Sequence, residues 1–563
     1  LKTGSTVLIA TDSLTGKTVA THITVSEGFT NPKIAIGDGY VIALKADGTI
    51  WGWGSNTNGR VGIDTATPVI ATPTRIDQYI NPNNDQRFDL DAETIVDIAA
   101  GPHHVLAVDK NGQVYAWGMN NYGQLGVSAY KYGSASLPVL VKALSNVFAV
   151  KVAAGADYSV VLTDNGYVYS FGNNTRGQLG TADVNGSQHP TPVLMRGVGG
   201  NGTLGGVVDI AAGAAHTMLL LGNKTMWIVG DNTEKQLGVD TTKDGNTYTA
   251  TIVEVDLPVD ANSSTGDKVE AAALSAGPYN SAFMTADGRA FVWGNNQYYQ
   301  VLNDAAGEKV SLVSQINIPN ETSGIVDLQF GGSRSAQTHI AALTDSGKVY
   351  TWGAGSRGQI GDNSQTEKVS KPTYIPVNNT NVWGVAVGGT NTSAILTDGY
   401  VYTWGASDLG QIGNGTAGQS SDTETNELVP AKTGEDYISL DEYFVTLHEG
   451  ETSVINPVYN KFFNVIQNTD SSVNFSASSI NGNIASVSGL TINPVSTGKT
   501  QIIVSGGGRQ TTVEVTVLMN GYKTLPQVAA GEGFTVALDK DGKVYTWGKN
   551  DLGQLGDQGK AVS

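Results

Sequence analysis

Histidine and acidic side chains are the groups in this sequence that could support acid–base, nucleophilic or metal chemistry, and their spacing favours none of these. No two histidines lie four residues apart on a helical segment, and there is no cysteine to complete a zinc site. No Gly-x-Ser-x-Gly motif is present either. We therefore predict that the protein is not an enzyme and has no catalytic residue, cofactor or metal site. The seven histidines are His22, His103, His104, His189, His216, His339 and His448.

Two acidic stretches contain enough carboxylates to bind a cation but lack the residue order of a calcium-binding loop. The first contains Asp85, Asp89, Asp91 and Glu93, which could collect calcium weakly. It lacks the Asp-x-Asp-x-Asp-Gly order of a calcium loop, so a solvated loop is the favoured interpretation. Residues 240–246 are interpreted in the same way.

The element that positions most of these side chains is a repeat that occurs eight times. Each copy has two alternating apolar runs around a short turn, usually Asp-Gly or Asn-Gly, and then Val-Tyr-x-Trp-Gly and Gly-Gln-[Leu/Ile]-Gly. Such a turn suits a β-hairpin, because both central residues of a type I′ turn need positive φ. The repeat therefore predicts small antiparallel sheets in a propeller, solenoid or array. The copies end at Gly62, Gly126, Gly180, Gly238, the degenerate Leu302, Gly361, Gly413 and Gly556.

Several side chains recur at fixed places in the repeat, which predicts that they build it. The residue before the glycine of Trp-Gly is large in seven copies and should pack between neighbouring sheets. The turn glutamine should bond main chain between sheets, and His104, His216 and His339 should be hydrogen-bonded strand residues. The large residues are Trp53, Trp117, Phe171, Trp293, Trp352, Trp404 and Trp547, with Val229 in the fourth copy; the glutamines are Gln124, Gln178, Gln236, Gln359, Gln411 and Gln554.

These motifs resemble the repeats of the regulator of chromosome condensation family. The resemblance rests on starts such as Ala211 to Thr217, on the Trp-Gly dipeptide and on the Gly-Gln-Leu-Gly turn. It covers residues 27–433 and 519–563. It implies an all-β fold in which residues 27–433 form a seven-bladed β-propeller, since seven copies lie in that block.

The resemblance implies several functions, and the charge and motifs of this sequence favour some of them over others. The chromatin member of the family is a nucleotide exchange factor for a small GTPase and binds nucleosomes. A net charge of −18 and the lack of a basic tail disfavour nucleic acid here. The Gly-Trp-Arg-His-Thr motif of the plant ultraviolet-B receptor is absent. Secreted bacterial β-lactamase inhibitors with this propeller are more similar in character, and they bind an enzyme with one face of the ring.

A second pattern interrupts the repeat. Residues 434–518 predict short alternating strands and resemble a bacterial immunoglobulin-like domain of group 2, a β-sandwich. Residues 1–26 resemble the end of such a domain, and both Gly4 to Gly498 and Trp53 to Trp547 are 494 residues apart. We therefore interpret the chain as a window of a longer tandem array, with residues 519–563 as the first unit of a second propeller. The alternative is that residues 519–563 are the closing blade of the first ring.

Composition favours an extracellular or cell-surface location. The chain has 71 glycines, no cysteine and only 15% charged residues, and it has no apolar run long enough to span a membrane. From this and the 494-residue period we predict a structural or adhesive segment of a large bacterial repeat protein, non-enzymatic and possibly fibre-forming. The alternative is a soluble propeller that inhibits or caps a target enzyme or receptor.

The partner under either hypothesis is a protein or a glycan, or another copy of the chain in a fibre. Long excursions between repeat units should decorate one face or the rim of a ring, where propellers bind partners. Exposed aromatic side chains in these excursions are the predicted anchors. They are Tyr79, Tyr130, Tyr132, Tyr248, Tyr298 and Tyr299.

Overall fold

The computed structural model describes residues 30–548 and the strands Gly4–Thr11 and Thr18–Val25, which pair as an antiparallel hairpin. Within 30–548 the residues not described are 91–93, 128–132, 183–187, 240–246, 262, 303–308, 332–337, 416, 418–425, 441, 463–472 and 533. The described chain divides into two compact units. The first comprises Leu1–Gly434 with Phe462–Gln467, and the second comprises Glu435–Lys461 with Asn468–Ser563.

Besides the N-terminal hairpin, the described part of the first unit contains seven sheets of four or more strands, which we call blades 1 to 7 in chain order. In each blade four consecutive strands pair in sequence order, as the Asp-Gly hairpins predict. Blade 1 comprises Lys33–Ile36, Tyr40–Leu44, Ile50–Ser55 and Val69–Ile76; blade 2 comprises Ile95–Ala100, His104–Asp109, Val114–Met119 and Ser134–Leu140; blade 3 comprises Ala149–Ala154, Tyr158–Thr163, Val168–Gly172 and His189–Leu194; blade 4 comprises Val207–Ala212, His216–Leu221, Met226–Asp231 and Tyr248–Glu254.

The remaining three blades follow the same order. Blade 2 is extended beyond its fourth strand by the hairpin Gln78–Asn81 and Gln86–Asp89. Blade 5 comprises Ala273–Ala276, Asn280–Met284, Ala290–Asn295 and Lys309–Ile316; blade 6 comprises Ile325–Phe330, His339–Thr344, Val349–Ala354 and Lys368–Ile375; blade 7 comprises Val382–Val387, Asn391–Leu396, Val401–Ala406 and Asn426–Thr433. Short 3₁₀ turns lie at Thr57–Gly59, Lys142–Leu144 and Val198–Gly200.

The first strand of each blade lies at the centre of the unit. First strands of successive blades contact one another, including those of blades 7 and 1. They line a central cavity of about 250 Å³. The apolar core lies between blades; one cluster, for example, joins Ile36 and Trp53 of blade 1 to Ala386 and Val401 of blade 7. The seven blades therefore share one continuous system of contacts around the cavity.

A β-bulge explains why one side chain per blade faces its neighbour. In all seven blades the register between the third and fourth strands shifts at the residue before the glycine of Trp-Gly. The glycine itself has a positive φ, as in Gly54 at 99° and Gly405 at 106°. A bulge turns its side chain away from the regular alternation of the strand. Each slot residue is thereby buried between blades.

The second unit contains its own sheets. A four-stranded sheet comprises Phe444–His448, Arg509–Leu518, Gly498–Gly506 and Ser476–Ser479, with the first two strands parallel. A three-stranded sheet comprises Ser453–Val454, Thr491–Pro494 and Ala485–Ser488, and Tyr437–Leu440 pairs with Pro457–Asn460. One apolar cluster, which includes Ile438, Val445, Ile492 and Val515, connects these sheets.

The eighth copy of the repeat forms a sheet of three described strands, Gln527–Gly531, Phe534–Leu538 and Val544–Gly548. Its slot residue Trp547 is 47% exposed, whereas Trp53, Trp117, Trp293, Trp352 and Trp404 are fully buried. Within the described residues of the whole chain, no helix is long and apolar enough to cross a membrane.

Candidate functional site

The slot tryptophans join successive blades by one recurring hydrogen bond. The indole nitrogen of Trp404 in blade 7 donates to the carbonyl oxygen of Gln359 in blade 6, at 3.0 Å. Trp293 donates to Gln236 and Trp352 to Gln300 in the same way. Trp117 donates to Arg60, which replaces glutamine in the first copy. The slot aromatics are therefore part of the scaffold, and they form no ligand cage.

The turn glutamines act differently from the prediction. The side-chain oxygen of Gln124 accepts from the backbone nitrogen of Tyr122, two residues earlier, at 2.9 Å, and that of Gln359 accepts from Arg357 at 2.7 Å. The amide side chain therefore holds its own turn. It is the main-chain carbonyl of the glutamine that bonds the neighbouring blade. The prediction placed the right residue at the interface but assigned the bond to the wrong group.

Three of the histidines form hydroxyl pairs that look like catalytic dyads. His104 Nε2 lies 2.9 Å from Ser159 Oγ, His216 Nε2 lies 2.9 Å from Ser281 Oγ, and His339 Nε2 lies 2.8 Å from Thr392 Oγ1. In each pair the hydroxyl belongs to the next blade. It donates its proton to a turn carbonyl of the histidine's own blade, as Ser159 does to Gln124 at 2.7 Å.

The direction of these bonds excludes general-base chemistry. A hydroxyl has one proton, and here the carbonyl takes it, so Nε2 must be the donor to the hydroxyl oxygen. A catalytic dyad needs the opposite polarity, with the imidazole accepting the nucleophile's proton. Burial also lowers the pKa of His104 to about 3, that of His216 to about 4 and that of His339 to about 3. These histidines are neutral structural links, as the sequence predicted.

A set of charged residues lies at one fixed place on the first strands, and two of them, Lys33 and Lys151, line the central cavity. The position is the third residue of the first strand in blades 2, 3, 4, 6 and 7, and the first residue of that strand in blades 1 and 5. It is occupied by lysine, aspartate, alanine or glycine. Lys33 Nζ of blade 1 pairs with Asp97 Oδ1 of blade 2 at 2.7 Å. Lys151 of blade 3 pairs with Asp209 of blade 4. We call these positions the charged ring; from blade 1 to blade 7 they are Lys33, Asp97, Lys151, Asp209, Ala273, Asp327 and Gly384.

Exposed apolar side chains immediately precede the charged ring in four blades. The exposed fractions are 41% for Val150, 55% for Val208, 53% for Val326 and 37% for Trp383. We call these four residues the apolar collar. Exposed apolar side chains that recur next to charged positions have the character of a protein-binding surface.

Four of the six predicted tyrosine anchors lie in the described part of the chain, in blades 2, 4 and 5. Tyr298 is buried, and Lys368 Nζ lies 4.8 Å from its ring centroid, so it is not an exposed anchor. Tyr79 stacks on Phe88 at 5.4 Å and is half-buried in the hairpin that extends blade 2. Tyr248 and Tyr299 are half-buried at the start of a fourth strand and in a turn. Tyr130 and Tyr132 lie outside the described residues. Binding by Tyr79, Tyr248 or Tyr299 stays a prediction.

The described residues contain no group of three or more His, Asp or Glu that could hold a metal ion. Asp85 lies in a hairpin turn with a φ of 56°, while Asp91, Glu93 and residues 240–246 lie outside the described part. Sequence reasoning missed the charged ring and the apolar collar. The signal was available, because both occupy a fixed place in the repeat where residue type varies between copies.

Comparison with known proteins identifies the repeats. The model of the RCC1-like domain matches residues 9–269. The models of the regulator of chromosome condensation (RCC1) repeat match residues 271–300, 527–554 and 346–395. Among solved structures, human WBSCR16 has a TM-score of 0.56 at 21% identity, covering 69% of this chain and 95% of that one. Prp20p from Saccharomyces cerevisiae has a TM-score of 0.56 at 20% identity, covering 73% and 88%. The fold is an all-β RCC1-like propeller.

The relatives found by sequence are eukaryotic. The human E3 ubiquitin-protein ligase HERC2 is 29% identical over 386 residues, which are 67% of this chain and 7% of the ligase. The secretion-regulating guanine nucleotide exchange factor of Bos taurus is 28% identical over 316 residues, 55% of this chain and 63% of the relative. The chain thus spans only a small part of the ligase and less than two thirds of the exchange factor.

These findings correct the predicted function. The prediction of a bacterial structural or adhesive repeat protein is wrong, because the relatives are eukaryotic RCC1-family proteins with regulatory names. Glycan binding and fibre formation have no support among them. They include exchange factors and binding proteins. The comparisons therefore do not confirm the prediction that the chain lacks enzymatic activity. No immunoglobulin-like domain is shown for residues 434–518, and an extracellular location stays a prediction.

Proposed function

We propose that this chain, whose propeller is built from RCC1-like repeats, binds and caps a folded partner protein with the face that carries the apolar collar. The blades form one closed seven-bladed ring in this proposal, with blade 7 seated against blade 1. The single observation that supports it most is the collar itself. Its four apolar side chains are exposed on the first strands, each next to a position of the charged ring; Val150 and Val208 adjoin the paired Lys151 and Asp209, and Val326 adjoins Asp327.

Among the described residues, the side chains that recur in the repeat are used to build the blades, which leaves the variable side chains for binding. Tryptophan, glutamine and histidine, the side chains that recur, are committed to contacts between or within blades. What differs from blade to blade is therefore what a partner can recognise. A protein interface combines an apolar centre with a polar rim, and the collar with the charged ring offers both.

Similarity to known proteins agrees with this proposal. Prp20p of Saccharomyces cerevisiae binds Gsp1p and histones, and both of these partners are proteins. A net charge of −18 also favours a partner with a basic surface over a nucleic acid.

The test compares two variants of the full chain. Val208→Asp/Val326→Asp places two carboxylates in the collar, and Leu312→Asp changes an apolar residue of blade 5 that is 78% exposed on an outer strand. Proteins cross-linked to each variant in an extract of the source organism would be quantified by mass spectrometry. We expect a defined partner to be lost with the collar variant and kept with Leu312→Asp. Equal capture by both variants would overturn the proposal.

A second candidate is guanine nucleotide exchange on a small GTPase. It is favoured by the similarity to the secretion-regulating guanine nucleotide exchange factor of Bos taurus. Exchange needs no catalytic dyad in the propeller, since a binding face that distorts the nucleotide site is sufficient. Release of a fluorescent GDP analogue from purified small GTPases measures it directly. Acceleration that the collar variant abolishes would establish this activity, and no acceleration across the GTPases would exclude it for them.

We also propose a domain division for the parts outside the ring. Residues 1–26 and 434–518 are immunoglobulin-like segments, and residues 519–563 are a unit of a further propeller. The 494-residue period supports the division, as does the separate sheet formed by 527–548 with its exposed Trp547. Limited proteolysis checks it: we expect cuts near residues 434 and 520, and a protected core of residues 30–433.

A further inference from the structure

The charged ring follows a pairing rule in its first four positions. The lysine of an odd-numbered blade pairs with the aspartate of the next blade, as Lys33 does with Asp97 and Lys151 with Asp209. Each aspartate also accepts a hydrogen bond from the following blade: Val152 N donates to Asp97 Oδ2 and Leu274 N to Asp209 Oδ2, both at 3.0 Å. Each carboxylate therefore has one cation and one backbone donor from its two neighbouring blades.

The rule fails at the third pair. Blade 6 supplies the aspartate, Asp327, but blade 5 has Ala273 where the lysine would stand. On the other side of Asp327, blade 7 has Gly384, which brings no side chain. Among the described residues no lysine or arginine nitrogen forms an ion pair with Asp327. Its hydrogen bonds are local: the side-chain amide of Gln329 donates to Oδ1 at 2.7 Å, and the backbone nitrogen of Leu328 also donates to the carboxylate.

The surroundings of Asp327 make this missing cation costly. Asp327 is half-buried as a residue, and burial of its carboxyl group is the main influence on the pKa of that group, ahead of the hydrogen bonds from Gln329 and Leu328 and the more distant charges of Lys33 and Lys151. A desolvated carboxylate gains far more from a close cation than an exposed one does. On either side of Asp327, Ala273 and Gly384 carry only a methyl group or a hydrogen, so no side chain at those ring positions takes the place of the cation.

We propose that Asp327 binds the lysine or arginine side chain of the partner protein, in the place that a lysine at position 273 would fill. This inference rests on the proposed function, because it assigns the chemistry of the partner at the same face. Val326 and Trp383 of the apolar collar immediately precede Asp327 and Gly384. They offer contact to the methylene stem of the cationic side chain and to apolar residues beside it.

The geometry favours an organic cation over a metal ion. Calcium takes six to eight oxygen ligands. Here one carboxylate, one amide and two blades without a polar side chain at the ring position provide too few. An ammonium or guanidinium group needs only the carboxylate and a few acceptors, as in the two internal pairs.

The first test restores the pairing of a lysine with the aspartate of the next blade. Ala273→Lys should supply the missing cation, and it should do so only when Asp327 is present. The unfolding midpoints of wild type, Ala273→Lys, Asp327→Asn and the double variant form a double-mutant cycle. We expect Ala273→Lys to raise the midpoint more in the chain that keeps Asp327 than in the chain that carries Asp327→Asn. Additive effects of the two substitutions would show that the place does not accept a cation and would overturn the inference.

The second test uses a probe in place of the partner. The peptide acetyl-Val-Lys-Val-amide presents one ammonium between apolar residues, and acetyl-Val-norleucine-Val-amide has the same shape without charge. Saturation-transfer NMR would compare both peptides on the full chain. We expect the lysine peptide to bind at least tenfold more tightly than the norleucine peptide. Asp327→Asn and Ala273→Lys should abolish that difference, and Leu312→Asp should keep it.

The results separate this inference from the proposed function. If the collar variant loses the cross-linked partner while Asp327→Asn and Ala273→Lys keep it, the face binds a protein but the cation site is wrong. If the lysine peptide depends on Asp327 while the collar variant still captures its partner, the cation site stands and the proposed face is wrong. A lysine peptide that binds no better than the norleucine peptide overturns the inference, even if Ala273→Lys does not fold.

Discussion

The indole nitrogen of Trp53 in blade 1 donates to the carbonyl oxygen of Gln411 in blade 7 at 3.0 Å, across 358 residues of sequence. The same bond joins Trp404 to Gln359 and Trp352 to Gln300 between successive blades. The contact between the last blade and the first is thus built like the contacts inside the series. Its loss should therefore destabilise the propeller as much as the loss of any other tryptophan-bonded junction.

Replacing Trp53 by alanine should destabilise the propeller strongly. The side chain is fully buried between two blades, and removing a buried aromatic ring costs about 3–5 kcal/mol of unfolding free energy. Trp547→Ala is the matched control, because it occupies the same slot of the eighth copy but is 47% exposed. Urea denaturation followed by circular dichroism would measure both. Equal effects of the two substitutions would contradict the role assigned to the slot.

Gly413→Ala should destabilise the same junction from the other side. Gly413 has a φ of 73°, and a Cβ there would lie 2.7 Å from Trp53 Nε1 and 2.9 Å from Thr433 Cγ2. Gly266→Ala is the control, since Gly266 has a φ of 80° with nothing within 4 Å of its Cβ position. The left-handed backbone alone costs about 1 kcal/mol in both variants. A clearly lower thermal midpoint for Gly413→Ala than for Gly266→Ala is the expected result.

Acid should destabilise the propeller between pH 6.5 and about 4. Burial lowers the pKa of His104, His216 and His339, so the native state stays neutral where the unfolded chain binds protons. Stability is therefore present above the unfolded pKa and falls as the pH decreases. At pH 5 each histidine contributes a loss of about 2 kcal/mol, because the pH lies 1.5 units below the unfolded value. Urea titrations at pH 7, 6 and 5 measure the slope.

His216→Asn should remove about one third of that histidine contribution. Asn280 and Asn391 occupy the same place in blades 5 and 7, so the chain already accepts asparagine there. We expect lower stability than wild type at pH 7 and a shallower decline towards pH 5. An unchanged slope would show that His216 is protonated in the native state, contrary to its burial.

Asp327→Asn should steepen the decline in acid. Desolvation raises the pKa of Asp327 to about 6, so the native state binds a proton below that pH before the unfolded chain does. This group stabilises the fold as the pH falls, which opposes the histidines. Its loss should add roughly 1 kcal/mol to the destabilisation at pH 5. A slope identical to that of wild type would show that Asp327 has an ordinary pKa.

The sequence specified those parts of the fold that depend on neighbouring residues. The Asp-Gly hairpins, the strand alternation and the packing of the slot aromatics all follow from local patterns that recur in each copy. The partners of His104 could not be predicted, because Ser159 lies 55 residues away and only the stacking of blades brings them together. The burial of Tyr298 was missed for a similar reason, since Lys368 of the next blade lies over its ring.

The charged ring shows the limit of motif reasoning most clearly. Lys33, Asp97 and Asp327 look unremarkable one at a time, because each is a single charged residue in an apolar strand. Their meaning depends on comparing the same position in successive blades, and on knowing that those positions meet around one cavity. The predicted tyrosines were chosen by residue type in loops, a criterion that does not account for burial such as that of Tyr298.

In the five blades whose slot residue is tryptophan, the indole bond points to the preceding blade and gives the junction two unlike sides. One side of such a junction presents a donor and the other presents an acceptor, so the two blades associate head to tail and not through identical surfaces. Such a heterologous contact would propagate without limit in a linear stack. Curvature brings the acceptor at Gln411 to the donor at Trp53 and ends the propagation. The polarity of the bond therefore sets the direction of the series, and the curvature that joins Trp53 to Gln411 is what ends it.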